Sequence, residues 1–68
     1  MVSYKPLLHT LLALDLKKMD LVKRGTVSRA TLAKLGKNEY VALEVLDRIC
    51  TDLRCPIEAV VEIKVPQD

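Results

Sequence analysis

The chain is predicted to be all-α: a compact bundle of four to five short helices containing a helix-turn-helix, with a short two-stranded ribbon from its ends. Three observations predict this. Leucines recur at helical spacing in separate stretches. Half the residues are apolar, yet Phe and Trp are absent, so Leu, Val, Ile and Ala must build the core. With 68 residues there is room for a single domain, 1–68, and none for helical crossovers between parallel strands or a large ligand cavity. A domain this small buries only about 60% of the surface its unfolded chain exposes. A dimer interface is a natural supplement.

Val2 to Tyr4 is a short extended lead-in, and Pro6 suits the first turn of a helix. Leu7, Leu8, Leu11, Leu12 and Leu14 carry that helix to about Leu14. A second, short helix covers about Lys18 to Arg24, with Met19, Leu21 and Val22 facing inward. It stops near Gly25-Thr26. Ser28 is a good N-cap for a third helix, Arg29 to Leu35, because its hydroxyl can accept from first-turn N–H groups. Leu32 and Leu35 face inward there, and Gly36 ends it in the usual C-terminal role. A fourth helix, about Leu43 to Leu53, shows a stripe of Leu43, Leu46, Ile49, Cys50 and Leu53. Pro56 opens a final helical turn through Val60. Val61 to Val65 alternates apolar and charged residues, the pattern of a half-buried strand. Its partner is Val2 to Tyr4, from the same chain or a neighbouring one.

The net charge of +2 hides a strong asymmetry. From Lys17 to Lys37 there are seven basic residues and one acid, Asp20, a net of +6. From Asn38 to Asp68 there are three basic and seven acidic residues, a net of −4. Such a dipole concentrates positive potential on the middle of the chain and points to an anionic partner. Charge alone also fits a solvated basic face.

Other chemistry is poorly supported. Met1 to Pro6 lacks the charged start and apolar run of a signal peptide, and no stretch approaches the roughly 18 apolar residues of a membrane span. The expected location is cytoplasmic. Cys50 and Cys55 have neither zinc-ligand nor Cys-x-x-Cys spacing and read as reduced, structural thiols. His9 reads as an ordinary surface or boundary residue. Glu44, Asp47, Asp52 and Glu58 lie on helix exteriors without a clustered basic partner, and no nucleophile has a base nearby in sequence. The expectation is no enzyme, no metal, no cofactor and no small-molecule ligand.

Two short helices joined by a tight turn, the second apolar beneath and polar outside, form a helix-turn-helix. A single helix is narrow enough to enter the major groove of DNA, where Arg can pair with guanine and Ala or a Thr methyl can touch thymine. N–H groups at the helix start can hold a phosphate. Lysines beside it can grip the backbone, positioning without specifying.

Three strings sharpen this picture: Ser-Tyr-Lys-Pro-Leu at Ser3–Leu7, Val-Ser-x-x-Thr-Leu-Ala-Lys-Leu at Val27–Leu35, and Arg-Ile-Cys-x-x-Leu-x-Cys-x-Ile at Arg48–Ile57. In that order they resemble the small single-domain members of the Cro and lambda-repressor type of regulators, the XRE family. The resemblance implies a five-helix bundle, sequence-specific binding to double-stranded DNA and a homodimer on palindromic sites. It implies base-reading positions at Ser28, Arg29, Ala30, Thr31 and Lys34. The flanking polar residues, Lys18, Lys23, Lys37, Asn38 and Tyr40, are the candidates for phosphate contacts.

Two departures from the family pattern matter. The family usually has Gly one residue later, at the position of Thr26, and a small residue at that of Gly25. A β-branched residue is costly at positive φ, so Gly25 is expected to take that role and shift the turn by one. The family's usual Ser or Thr caps are Lys17 and Ala42 here, so the second and fourth helices should be weakly capped. The leading function is a transcriptional regulator, a repressor, that reads operator DNA with Ser28–Leu35. The alternative is an antitoxin-like or regulatory protein-binding module that docks through the acidic fourth helix and the C-terminal strand.

Overall fold

The computed structural model describes residues 1–66. It contains four α-helices: α1 (Lys5–Ala13), α2 (Lys18–Lys23), α3 (Arg29–Gly36) and α4 (Leu43–Leu53). A 3-10 turn at Ile57–Ala59 and two short strands, β1 (Val2–Ser3) and β2 (Glu62–Ile63), complete it. The strands pair antiparallel within one chain, Val2 opposite Ile63 and Ser3 opposite Glu62. That ribbon joins the two ends of the fold.

All four helices end in the left-handed backbone region, at Asp15 (φ 59°), Gly25 (φ 76°), Asn38 (φ 56°) and Arg54 (φ 52°). In each case the next N–H reaches back five residues: Leu16 to Leu11, Thr26 to Leu21, Glu39 to Lys34 and Cys55 to Cys50. This satisfies carbonyls that the helix end would otherwise leave unpaired. Only one of the four positions is glycine. Gly25 therefore takes the turn as expected, and Thr26 is released from any strained geometry.

The core draws on every helix. Leu7 and Leu11 come from α1, Leu21 from α2, Leu35 from α3, and Leu46, Ile49 and Leu53 from α4. Tyr4, Val27 and Val60 close it. Leu21, Ile49 and Val60 are fully enclosed, and each such side chain contributes about 1.5–3 kcal/mol by leaving water. α1 is anchored on the 3-10 turn: Thr10 Oγ1 donates to the Ala59 carbonyl at 2.6 Å, and Leu7 N–H reaches the Val60 carbonyl at 3.2 Å.

Several expectations are corrected. Gly36 does not end α3; it is the last helical residue, and Asn38 supplies the left-handed turn two positions on. Met19 and Leu43 face outward, 40% and 70% exposed. A six-residue helix is too short for periodicity to define its inner face, and Leu43 starts α4 beyond the edge of the bundle. Leu8, Leu12 and Leu14 are likewise exposed, so only Leu7 and Leu11 of the first leucine run enter the core. The C-terminal strand shrinks to Glu62–Ile63 and is exposed rather than half-buried, since its partner β1 offers only two residues. The final helical turn expected after Pro56 is present, as a 3-10 turn.

The weak caps are half right. α4 has no side-chain cap at Ala42. At α2, Lys17 has no side-chain acceptor, yet Asp20 Oδ2 accepts from the Lys17 N–H at 2.8 Å. One arm of a capping box is thus present, and a carboxylate sits favourably near the positive end of the helix.

Candidate nucleic-acid interface

α2 and α3 pack against each other across residues 24–28. Two devices fix that turn. Gly25 provides the left-handed backbone, and a Cβ there would meet no atom within 4 Å, so the requirement is one of backbone conformation and not of space. Thr26 is buried, and its Oγ1 donates to Asp52 Oδ2 at 2.7 Å.

Asp52 also receives Arg24, from Nη2 at 2.7 Å and from Nε at 3.1 Å. One carboxylate on α4 therefore holds both the end of α2 and the turn that follows it. Arg24 and then Thr26 stabilise the charged form, so the Asp52 carboxyl lies below its ordinary range. The expectation that Asp52 and Glu44 lack basic partners is corrected: Arg24 binds the first and Arg48 the second, at 2.6 Å. A pair 28 residues apart leaves no periodic trace in sequence. The Glu44–Arg48 pair, four apart on one helix, was missed although its spacing is the signal that could have found it.

α3 begins as expected. Ser28 is extended (φ −82°, ψ 165°), and its Oγ accepts from the Thr31 N–H at 3.1 Å. The same hydroxyl donates to Thr31 Oγ1 at 3.0 Å. Ser28, Arg29, Ala30 and Lys34 are exposed, while Thr31 is half-buried and engaged in this cap. Ser28 and Thr31 thus already bond each other, which leaves Arg29, Ala30 and Lys34 as the unengaged outward side chains. Leu32 and Leu35 lie beneath, half-buried and buried.

The flanking residues fall into two places. Lys18 opens α2 and Lys23 closes it, about one and a half turns apart. Lys37, Asn38 and Tyr40 lie after α3, where they line one shallow groove together with Lys64. Asn38 carries a structural duty: its Oδ1 accepts from the Tyr4 N–H at 3.0 Å, which leaves its amide N–H groups for other partners. Tyr4 adds a second tie, donating its hydroxyl to the Glu39 carbonyl at 2.7 Å. Burial raises the Tyr4 phenol above its usual value. Tyr40 is 74% exposed, so it does not pack in the core.

Among the described residues the ion pairs are Arg24–Asp52 and Arg48–Glu44. Lys18, Lys23, Arg29, Lys34 and Lys37 consequently have no described carboxylate within 4.0 Å. Of the basic middle of the chain, Arg24 is thus paired by Asp52, and these five residues keep their charge unpaired among the described residues. Cys50 and Cys55 are free and half-buried, and burial pushes the Cys50 thiol up. No cluster of three metal-ligating side chains occurs among the described residues, and no helix there is long and apolar enough to cross a membrane.

Comparison with known proteins matches this geometry to a described family. A family model of the Cro/C1-type HTH DNA-binding domain matches residues 7–65. The fold is similar to a crystal structure of the transcriptional regulator VanUg, with a TM-score of 0.85 and 46% sequence identity. That similarity covers 90% of this chain and 81% of the VanUg chain. Among curated proteins nothing matches.

Proposed function

This chain belongs to the Cro/C1-type helix-turn-helix DNA-binding family, and we propose that it is a transcriptional repressor that reads operator DNA with α3 in the major groove. One observation carries the reading. The outward side of α3 presents Arg29, Ala30 and Lys34 on a rigid, Ser28-capped helix whose basic groups have no described carboxylate partner. Arg29 reads a guanine edge, and Ala30 with the Thr31 methyl meets thymine. Ser28 acts chiefly through the cap, with the first-turn N–H groups turned to a phosphate. Lys18, Lys23, Lys37, Tyr40 and the amide of Asn38 hold the backbone. No catalytic step is assigned to the chain, and its compartment is the cytoplasm.

The chain acts as a homodimer. Leu43 and Ile57, both exposed, line one open groove with Leu46 and Cys50, edged by Glu44 and Asp47, a surface suited to an apolar contact between copies with a charged rim. A two-fold dimer places two α3 helices on half-sites about one helical turn apart.

Selection of binding sites from random duplexes tests this directly. A palindrome is the expected product, and recovery of no enriched sequence would overturn the reading. On the selected duplex, Arg29→Ala should cost about 1–3 kcal/mol and relax preference at one position. Lys37→Ala should weaken all duplexes alike and lower the salt slope by about one.

A further inference from the structure

A cleft of about 240 Å³ opens between the start of α1, the start of α2 and the second half of α3. Its walls divide by chemistry. Leu8 and the half-buried Leu32 supply an apolar floor, backed by the core residues Leu7, Leu11, Leu21 and Leu35. Lys5, Lys18 and Lys64 stand around it, and no Asp or Glu is among the lining residues. Asn38 adds a polar edge.

We propose that this cleft binds a small amphipathic carboxylate, its apolar body on the leucine floor and its head among Lys5, Lys18 and Lys64. Neither half of the wall makes sense for a simpler ligand. A nucleic-acid phosphate has no use for an apolar floor, and a neutral hydrocarbon has none for three lysines. Ligand pockets typically combine such an apolar lining with a few orienting polar groups. Size narrows the class. An apolar cavity of roughly 150 Å³ takes benzene, so this one takes a single ring bearing a carboxylate, or a medium-chain fatty acid.

The position gives the ligand a consequence. Lys18 lines the cleft and is also assigned above to the DNA backbone, so a bound carboxylate competes with DNA for the same ammonium. This second statement rests on the proposed function. Linkage makes the antagonism mutual: duplex weakens the ligand by the factor by which ligand weakens the duplex.

Titration of the full chain with octanoate, followed by backbone amide NMR, tests the site without DNA. Saturable shifts should concentrate at Leu8, Lys18, Leu32 and Gly36. Acetate, which has the head alone, and 1-octanol, which has the body alone, should each bind at least about tenfold more weakly. The exposed pair Lys5→Glu with Lys64→Glu should weaken octanoate by about tenfold or more and leave octanol unchanged; Lys5→Gln, a milder change, should give a smaller loss. Shifts that never saturate, that spread over the whole chain, or that are equal in the charge-reversed variant overturn the site. On the selected duplex, saturating octanoate should raise the dissociation constant of the unmodified chain. An unchanged duplex affinity overturns the competition, and failure to bind any duplex overturns the proposed function while the titration still decides the site.

Discussion

α3 and α4 are neighbours in sequence and opposites in what holds them. α4 buries Leu46, Ile49 and Leu53, yet no side chain caps its start at Ala42. α3 buries only Leu35, but Ser28 caps its start, and Lys34 and Leu35 carbonyls are closed at its end by Glu39 and Asn38 N–H groups. Both helices close their C-terminal ends in the same way, so α4 is fixed chiefly by the core and α3 relies more on its capped start. A helix fixed at a capped start can leave most of its surface to a partner, and α3 does so with Arg29, Ala30, Ala33 and Lys34 exposed. The Asp52 carboxylate joins the two regimes, since it lies on α4 and grips the turn that sets α3.

If that contrast is right, the largest loss of stability comes from α4. Ile49 is completely enclosed, and Ile49→Ala should cost about 2–5 kcal/mol through lost burial and the cavity left behind. Denaturant unfolding measures it. A cost under 1 kcal/mol would mean that α4 is not held by the core.

Next in size is the link between the regimes. Asp52→Ala leaves the buried Thr26 hydroxyl without its acceptor, a loss of about 1–3 kcal/mol. The same link predicts an acid response. The folded Asp52 carboxyl titrates below its unfolded value because Arg24 and Thr26 favour the charged form. Its contribution is therefore complete above the unfolded value of about 3.9, and is lost as pH falls through the depressed folded value. Thermal melts from neutral pH down to pH 2 should show a shallower acid decline for Asp52→Asn. Parallel curves would remove Asp52 from the acid transition.

What the sequence revealed follows the same division. α4 was legible from Leu43 to Leu53 because eleven residues complete three turns, long enough for a period to show. The start of α3 was legible because Ser at an N-cap is a local chemical signal. Its end was misread because Gly36 is a louder terminator than Asn38, although Asn tolerates the left-handed region and its amide also reaches Tyr4. The basic surface was countable along the chain, whereas its one neutralised member, Arg24, depended on a carboxylate 28 positions away. The cleft beside Lys18 was invisible for a related reason: its lysines come from the start of α1, the start of α2 and the residue after β2. Patterns read local order well and cross-chain pairing poorly.

The smallest effects probe the helix starts, where the two helices should respond in opposite directions. Ser28→Ala removes the oxygen that accepts from Thr31 N–H at 3.1 Å, and should cost about 0.5–2 kcal/mol. Because the cap also sets where the first turn of α3 begins, the same variant should bind the selected duplex more weakly than its loss of stability alone would cause. Ala42→Ser tests the uncapped helix. Ala42 already has the extended backbone of an N-cap (φ −62°, ψ 144°), so a serine there can accept from a first-turn N–H without rearrangement. A gain of roughly 0.5–1 kcal/mol is expected, with DNA affinity unchanged because Ala42 is not among the residues assigned to DNA. A gain at Ala42 beside a loss at Ser28 would show that both helix starts answer to the same local chemistry, and that only α3 depends on it for function.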